Sequence, residues 1–176
     1  MRQRLFILLG SAAVALAAAT AALAGTLTPT ATISGAAGMS MNLPSNPSIS
    51  STLDGSDQLV SWSALLGIVD ARGTGPGWNL TVSATTFSDG GGHTFAPGSV
   101  ASVSASCLGG SACTGATNSI TYPLTLSGTA AKFFNAGANS GMGQVNVTPS
   151  MNVTVPGNSY AGTYTSTVTL AVASGP

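Results

Sequence analysis

From Trp78 to Phe87 the chain alternates. Trp78, Leu80, Val82 and Ala84 fall on one face, and Asn79, Thr81, Ser83 and Thr85 on the other. A period of two sets one face of a strand against a core and the other toward water. The run follows Gly75-Pro76-Gly77, where glycine supplies positive φ and proline a fixed bend. The same design recurs along the chain. Leu59-Val60 opens a strand, and Leu66–Asp70 reads as a buried one. Ser99–Ser106 alternates again, and Gly162–Val172 reads as the last strand. Ile120–Leu126 and Gln144–Val155 are strands broken by Pro123 and Pro149. Thr30–Ser34 is expected to be the first strand, and Met39–Ser48, with Pro44 and Pro47, an extended loop or edge segment. Gly128–Gly143, which carries Lys132-Phe133-Phe134, is expected to be a long loop. Short strands joined by Gly/Pro turns predict an all-β fold, a single antiparallel β-sandwich domain. Lys, Glu and Gln, the usual surface helix formers, are nearly absent.

The N-terminus sets the compartment. Arg2 and Arg4 precede an apolar, Ala-rich run from Leu5 to Leu23, and Ala22-Leu23-Ala24 is a small-x-small triplet. The run is long enough to span a bilayer. Its composition and the triplet favour a secretory signal peptide at residues 1–24, cleaved after Ala24, and one exported domain at 25–176 with no membrane attachment.

Charge then limits the partners. Beyond residue 24 only Arg72 and Lys132 are basic and only Asp54, Asp57, Asp70 and Asp89 are acidic. Two bases against four acids give that part a formal charge of −2. Two bases are too few for the phosphate contacts of nucleic-acid binding or for holding anionic lipid. A partner has to be met by apolar, aromatic and neutral hydrogen-bonding groups.

Catalysis has few candidate groups. There is one His, no Glu and no G-x-S-x-G elbow. Asp70 and Arg72 read as a turn-stabilising pair. Asp89-Gly-Gly-Gly-His93 reads as a solvated turn rather than a metal site, and Asp54-Gly-Ser-Asp57 lacks the six to eight oxygens that calcium takes. No metal and no cofactor are expected. Cys107 and Cys113, separated by LGGSA, are expected to form a local disulfide in an exported protein. Asn79-Leu-Thr81, Asn146-Val-Thr148 and Asn152-Val-Thr154 match the glycosylation acceptor, as chance allows in Thr-rich strands. Trp78 has two readings, a core anchor or a platform for a sugar ring, and its apolar strand face favours the core. Trp62 has the same choice.

Two segments carry a resemblance. Val69–Phe87, VDARGTGPGWNLTVSATTF, and Val155–Pro176, VPGNSYAGTYTSTVTLAVASGP, resemble the WxL domain of Gram-positive surface proteins. Trp78-Asn79-Leu80 matches the first Trp-x-Leu after a Gly-rich turn. Ala161-Gly162 introduces the frame of the second motif, Tyr-x-x-x-Trp-x-Leu, with Tyr164 and Leu170 in place and Val168 where the family carries Trp. The resemblance implies a non-enzymatic cell-surface protein that attaches non-covalently to cell-wall peptidoglycan. Other surface proteins, or further copies of the chain, would be additional partners. It makes Trp78, Asn79, Leu80, Tyr164 and Leu170 the candidate ligand-binding residues. The alternative is a structural subunit of a pilus, coat or surface layer that assembles by strand addition at a sheet edge.

Overall fold

The computed structural model describes residues 28–36 and 38–176. The expected signal peptide lies outside them. All named strands lie in the compact unit Ile33–Pro176. They are β1 (Met39–Asn42), β2 (Gln58–Ser63), β3 (Leu66–Asp70), β4 (Trp78–Ala84), β5 (Phe87–Ser88), β6 (Thr94–Phe95), β7 (Ser99–Cys107), β8 (Leu124–Thr125), β9 (Ala131–Ala136), β10 (Gly143–Val155) and β11 (Val168–Ser174).

One sheet runs β1-β3-β10-β7-β8, with β2 also paired to β10. A second runs β11-β4-β9, and β5 and β6 form a short hairpin. Every pairing is antiparallel. The two larger sheets face each other over one core. Leu66, Ile68, Val145, Val147 and Met151 come from the first sheet, and Trp78, Leu80, Val82, Phe133 and Phe134 from the second. This is the β-sandwich that the alternating patterns predict.

Strand β10 organises the first sheet. Its inward side chains are Val145, Val147, Pro149, Met151 and Val153. Val145–Val147 pairs with β3 and Ser150–Val155 with β2 along the same edge. Contrary to the expectation of a break, Pro149 lies within a continuous strand. It sits where one partner gives way to the other, and its carbonyl accepts from Ala64 N at 3.3 Å. At a partner change the missing proline N–H costs no ladder bond.

Three more expectations are corrected. Thr30–Ser34 is not a strand, and Ile33 is 92% exposed. The edge of β3 is taken by β1, whose Met39 and Met41 pack on the core. The expected loop Gly128–Gly143 contains β9, with Phe133 and Phe134 both buried. Adjacent residues of a regular strand point to opposite faces. Here the register slips: Leu80 pairs with Phe134, but Thr81 pairs with Lys132. The bulge leaves Phe133 unpaired and lets both rings reach the core. Finally, the last strand starts at Val168, not Gly162. The segment before it is tied to the end of β4, with Ser166 Oγ donating to Thr85 O at 2.7 Å and Thr167 N to Thr85 Oγ1 at 3.0 Å.

Cys107 and Cys113 form the expected disulfide, with Cα atoms 5.6 Å apart. It closes the loop after β7 onto the start of β10, where Cys113 bridges Gly143. In the chain-entropy account, a loop this short stabilises the fold by about 2 kcal/mol. Reduction is therefore expected to lower the thermal midpoint by several degrees without loss of the fold, as read by circular dichroism with and without a reductant.

Candidate functional site

The first motif lies on β4, the central strand of the second sheet. Trp78 is 0% exposed. Its ring packs on Phe134 at 5.6 Å between centroids, and its indole N–H donates to Gly141 O at 2.9 Å. Gly141 has φ +69, and a Cβ there would lie 2.6 Å from Trp78 Nε1, so only glycine fits beneath the ring. Leu80 is likewise buried in the core. Asn79 points the other way but is also buried, and its amide donates to Gly175 O at 2.7 Å.

The preceding turn is held by a buried ion pair. Asp70 is 2% exposed. Arg72 meets it with a fork, Nε to Oδ1 and a terminal nitrogen to Oδ2, both at 2.8 Å. The same guanidinium reaches Gly77 O at 2.8 Å and Ser174 Oγ at the end of β11. The Arg72 hydrogen bonds hold the Asp70 carboxyl below the usual carboxylate range, although burial pushes the other way. One pair thus joins β3, the glycine turn and the C-terminal strand.

The second motif sits elsewhere. Strand β11 runs antiparallel to β4, so Ser174 is opposite Trp78 and Val168 is opposite Ala84. Six residues separate these positions, roughly 20 Å along a strand. Leu170 and Val168 are half-buried and pack on the core. Tyr164 lies before the strand, near the hairpin. The five candidate residues therefore do not converge on one point.

Around Tyr164, however, a cleft forms. Its floor is Val60 and Val155, one wall is the extended segment Ile49–Leu53, and the other is Tyr160, Gly162 and Tyr164 with Phe87 and Phe95. Its volume is about 480 Å³, and a second hollow continues it past Trp62 to Val168, sharing Ile49, Phe87 and Tyr164. Phe87 and Phe95 stack across the hairpin at 4.9 Å, and Phe95 tilts against Tyr164 at 4.9 Å. The outer ring, Tyr160, is 66% exposed and stacks on His93 at 3.9 Å. The hairpin turn is stiffened by Asp89, which accepts from Gly91 N at 2.8 Å, from His93 N at 3.0 Å, and contacts His93 Nδ1. These bonds, led by the one to His93, lower the Asp89 pKa. No charged side chain lines either part of the cleft. Hydroxyls come from Ser50, Ser51, Thr52 and Ser159.

Phe87, Phe95 and Tyr160 were not singled out by sequence reasoning. One local sign was available. Thr86-Phe87 and Thr94-Phe95 bracket the glycine turn symmetrically, which is what a hairpin with a cross-strand aromatic pair looks like. The other acids are spent on turns. Asp54 Oδ1 accepts from Ser56 N, Ser56 Oγ and Gln58 Nε2, and Asp57 accepts from Gly157 N. Among the described residues, no group of three His, Cys, Asp or Glu side chains is placed to hold a metal ion.

No match was found among curated proteins or among solved structures. The family model for the WxL domain, described as surface cell wall-binding, matches residues 30–176. That span holds the buried Trp78-Asn79-Leu80 strand, the glycine turn before it and the C-terminal strand beside it, and the chain therefore belongs to the WxL family of surface cell wall-binding domains.

Proposed function

We propose that the exported domain, residues 25–176, attaches non-covalently to peptidoglycan and catalyses nothing. The observation that supports this most directly is the match to a wall-binding family in a chain whose aromatic cleft and its continuation are lined only by uncharged groups. Neutral polymers of sugar rings suit such a surface, whereas polyanions need bases that it does not offer. A non-catalytic role is supported by the state of the acids, since Asp54, Asp57, Asp70 and Asp89 are all engaged in turns or pairs. Trp78 serves as the anchor of the binding scaffold rather than as its contact surface.

The test is a pull-down of the exported protein on purified, protein-free peptidoglycan at two salt concentrations. Saturable retention that changes less than about threefold between 50 and 500 mM salt is expected, because no charge pairs drive it. Failure of the folded protein to sediment with the wall, or release by moderate salt, would count against peptidoglycan as the ligand.

A further inference from the structure

We propose that the cleft between Ile49–Leu53, the β5–β6 hairpin and the Tyr160–Tyr164 segment is a glycan site, with Tyr160 as its stacking platform. The inference rests on the wall-binding reading above and goes on to name the part of the wall polymer and the residues that hold it. The ligand class is a chain of N-acetylated pyranose rings, taken by the sugar backbone rather than by the peptide stems.

A pyranose has an apolar C–H face and an equatorial rim of hydroxyls. Binding it takes a flat ring for the face and neutral donors and acceptors for the rim. Tyr160 offers the ring. It is mostly exposed, yet its position is set: His93 backs it at 3.9 Å, and Tyr164 Oη donates to the Tyr160 carbonyl at 3.0 Å. His93 is in turn held by Asp89 in the glycine turn. A large aromatic left in water but fixed from behind loses little freedom when a ligand stacks on it. Ser50, Ser51, Thr52 and Ser159 supply hydroxyls within the same cleft. Peptide stems carry ionised ends, and no lining side chain bears a counter-charge for them. The continuation past Trp62 to Thr163–Val168 gives the cleft the length for more than one ring.

Three variants test the site without touching the core. Tyr160→Ala removes the platform, and Tyr160→Phe keeps the ring. Gly162→Trp adds bulk where the two hollows meet, because Gly162 lines both and a Cβ there would meet no heavy atom within 4 Å. The probe is a β-1,4-linked N-acetylglucosamine hexamer, followed by calorimetry and by chemical-shift mapping on the exported protein, with peptidoglycan sedimentation run in parallel. Wild type is expected to bind the hexamer, with shifts confined to residues 46–53, 60–62, 87–95 and 155–168. Tyr160→Ala is expected to weaken binding about tenfold, Tyr160→Phe less than about threefold, and Gly162→Trp to abolish it, all at unchanged melting temperature. If wild type sediments with peptidoglycan and Tyr160→Ala and Gly162→Trp do so equally well, the cleft is not the site, while the wall-binding reading stands. If wild type sediments with neither variant affected and shifts map instead to concentration-dependent self-association, the cleft belongs to a second copy of the chain and the glycan assignment is overturned. If folded wild type does not bind peptidoglycan at all, both readings fall together.

Discussion

Trp78→Ala is expected to unfold much of the domain rather than trim a binding contact. The side chain is fully buried against Phe134. Truncating a buried aromatic costs about 3–5 kcal/mol through lost burial and the cavity left behind. The substitution also strips Gly141 O of its indole donor, which adds to the loss. Domains of this size are stable by only about 5–15 kcal/mol, so a large share of the total goes. Urea denaturation should show a strongly lowered midpoint, and wall retention should fall in step with the folded fraction. Trp78→Phe separates the two terms. It keeps a buried ring and loses the hydrogen bond, so a cost of about 2 kcal/mol is expected with wall retention intact at low temperature. A Trp78→Ala protein with native stability but no wall binding would instead make the ring a ligand contact, and the scaffold role argued above would be wrong.

The second large effect belongs to the Asp70–Arg72 pair. Arg72→Ala leaves a buried carboxylate without its fork and frees Gly77 O and Ser174 from their shared donor. Breaking a buried pair from one side costs about 3–5 kcal/mol. Arg72 is 14% exposed, so some water reaches the site and the lower end, about 3 kcal/mol, is expected. Asp70→Asn keeps the shape and should cost less, about 2 kcal/mol. The pair also predicts a pH dependence. The folded-state pKa of Asp70 is depressed, so its contribution is fully present above the unfolded value near pH 4. It is lost as pH falls through the folded pKa. Stability measured by denaturant titration between pH 6 and pH 2 should therefore drop more steeply in wild type than in Asp70→Asn. Parallel curves would mean that Asp70 is not held ionised by Arg72.

Much of this architecture was legible in local patterns because the information is local. The alternation in Trp78–Ala84 and Leu66–Asp70 needs only a strand's period of two, and Gly75 and Gly77 do adopt the positive φ that their turn required. The disulfide needed only a short spacing between two cysteines in an exported chain. The WxL frame, carried by Trp78-Asn79-Leu80 and by Tyr164 and Leu170, was enough to indicate the family.

What local patterns could not decide was who faces whom. Thr30–Ser34 and Met39–Asn42 are both short and partly apolar, and only the free edge of β3 selects the second. AKFFNA lacks alternation because a bulge, created by its pairing with β4, turns two neighbouring phenylalanines inward. Pro149 reads as a strand breaker until the handover from β3 to β2 puts it at a position that asks for no donor. The cleft shows the limit most clearly. Ile49–Leu53, the Phe87–Phe95 hairpin and Tyr160 are separated by tens of residues, and only the hairpin leaves a mark in its own neighbourhood. Strand period, turns and family were set by residues close together in the chain. The burial of Trp78 and the gathering of aromatics around Tyr164 were decided by tertiary contacts, because burial depends on the surface that arrives from elsewhere in the fold.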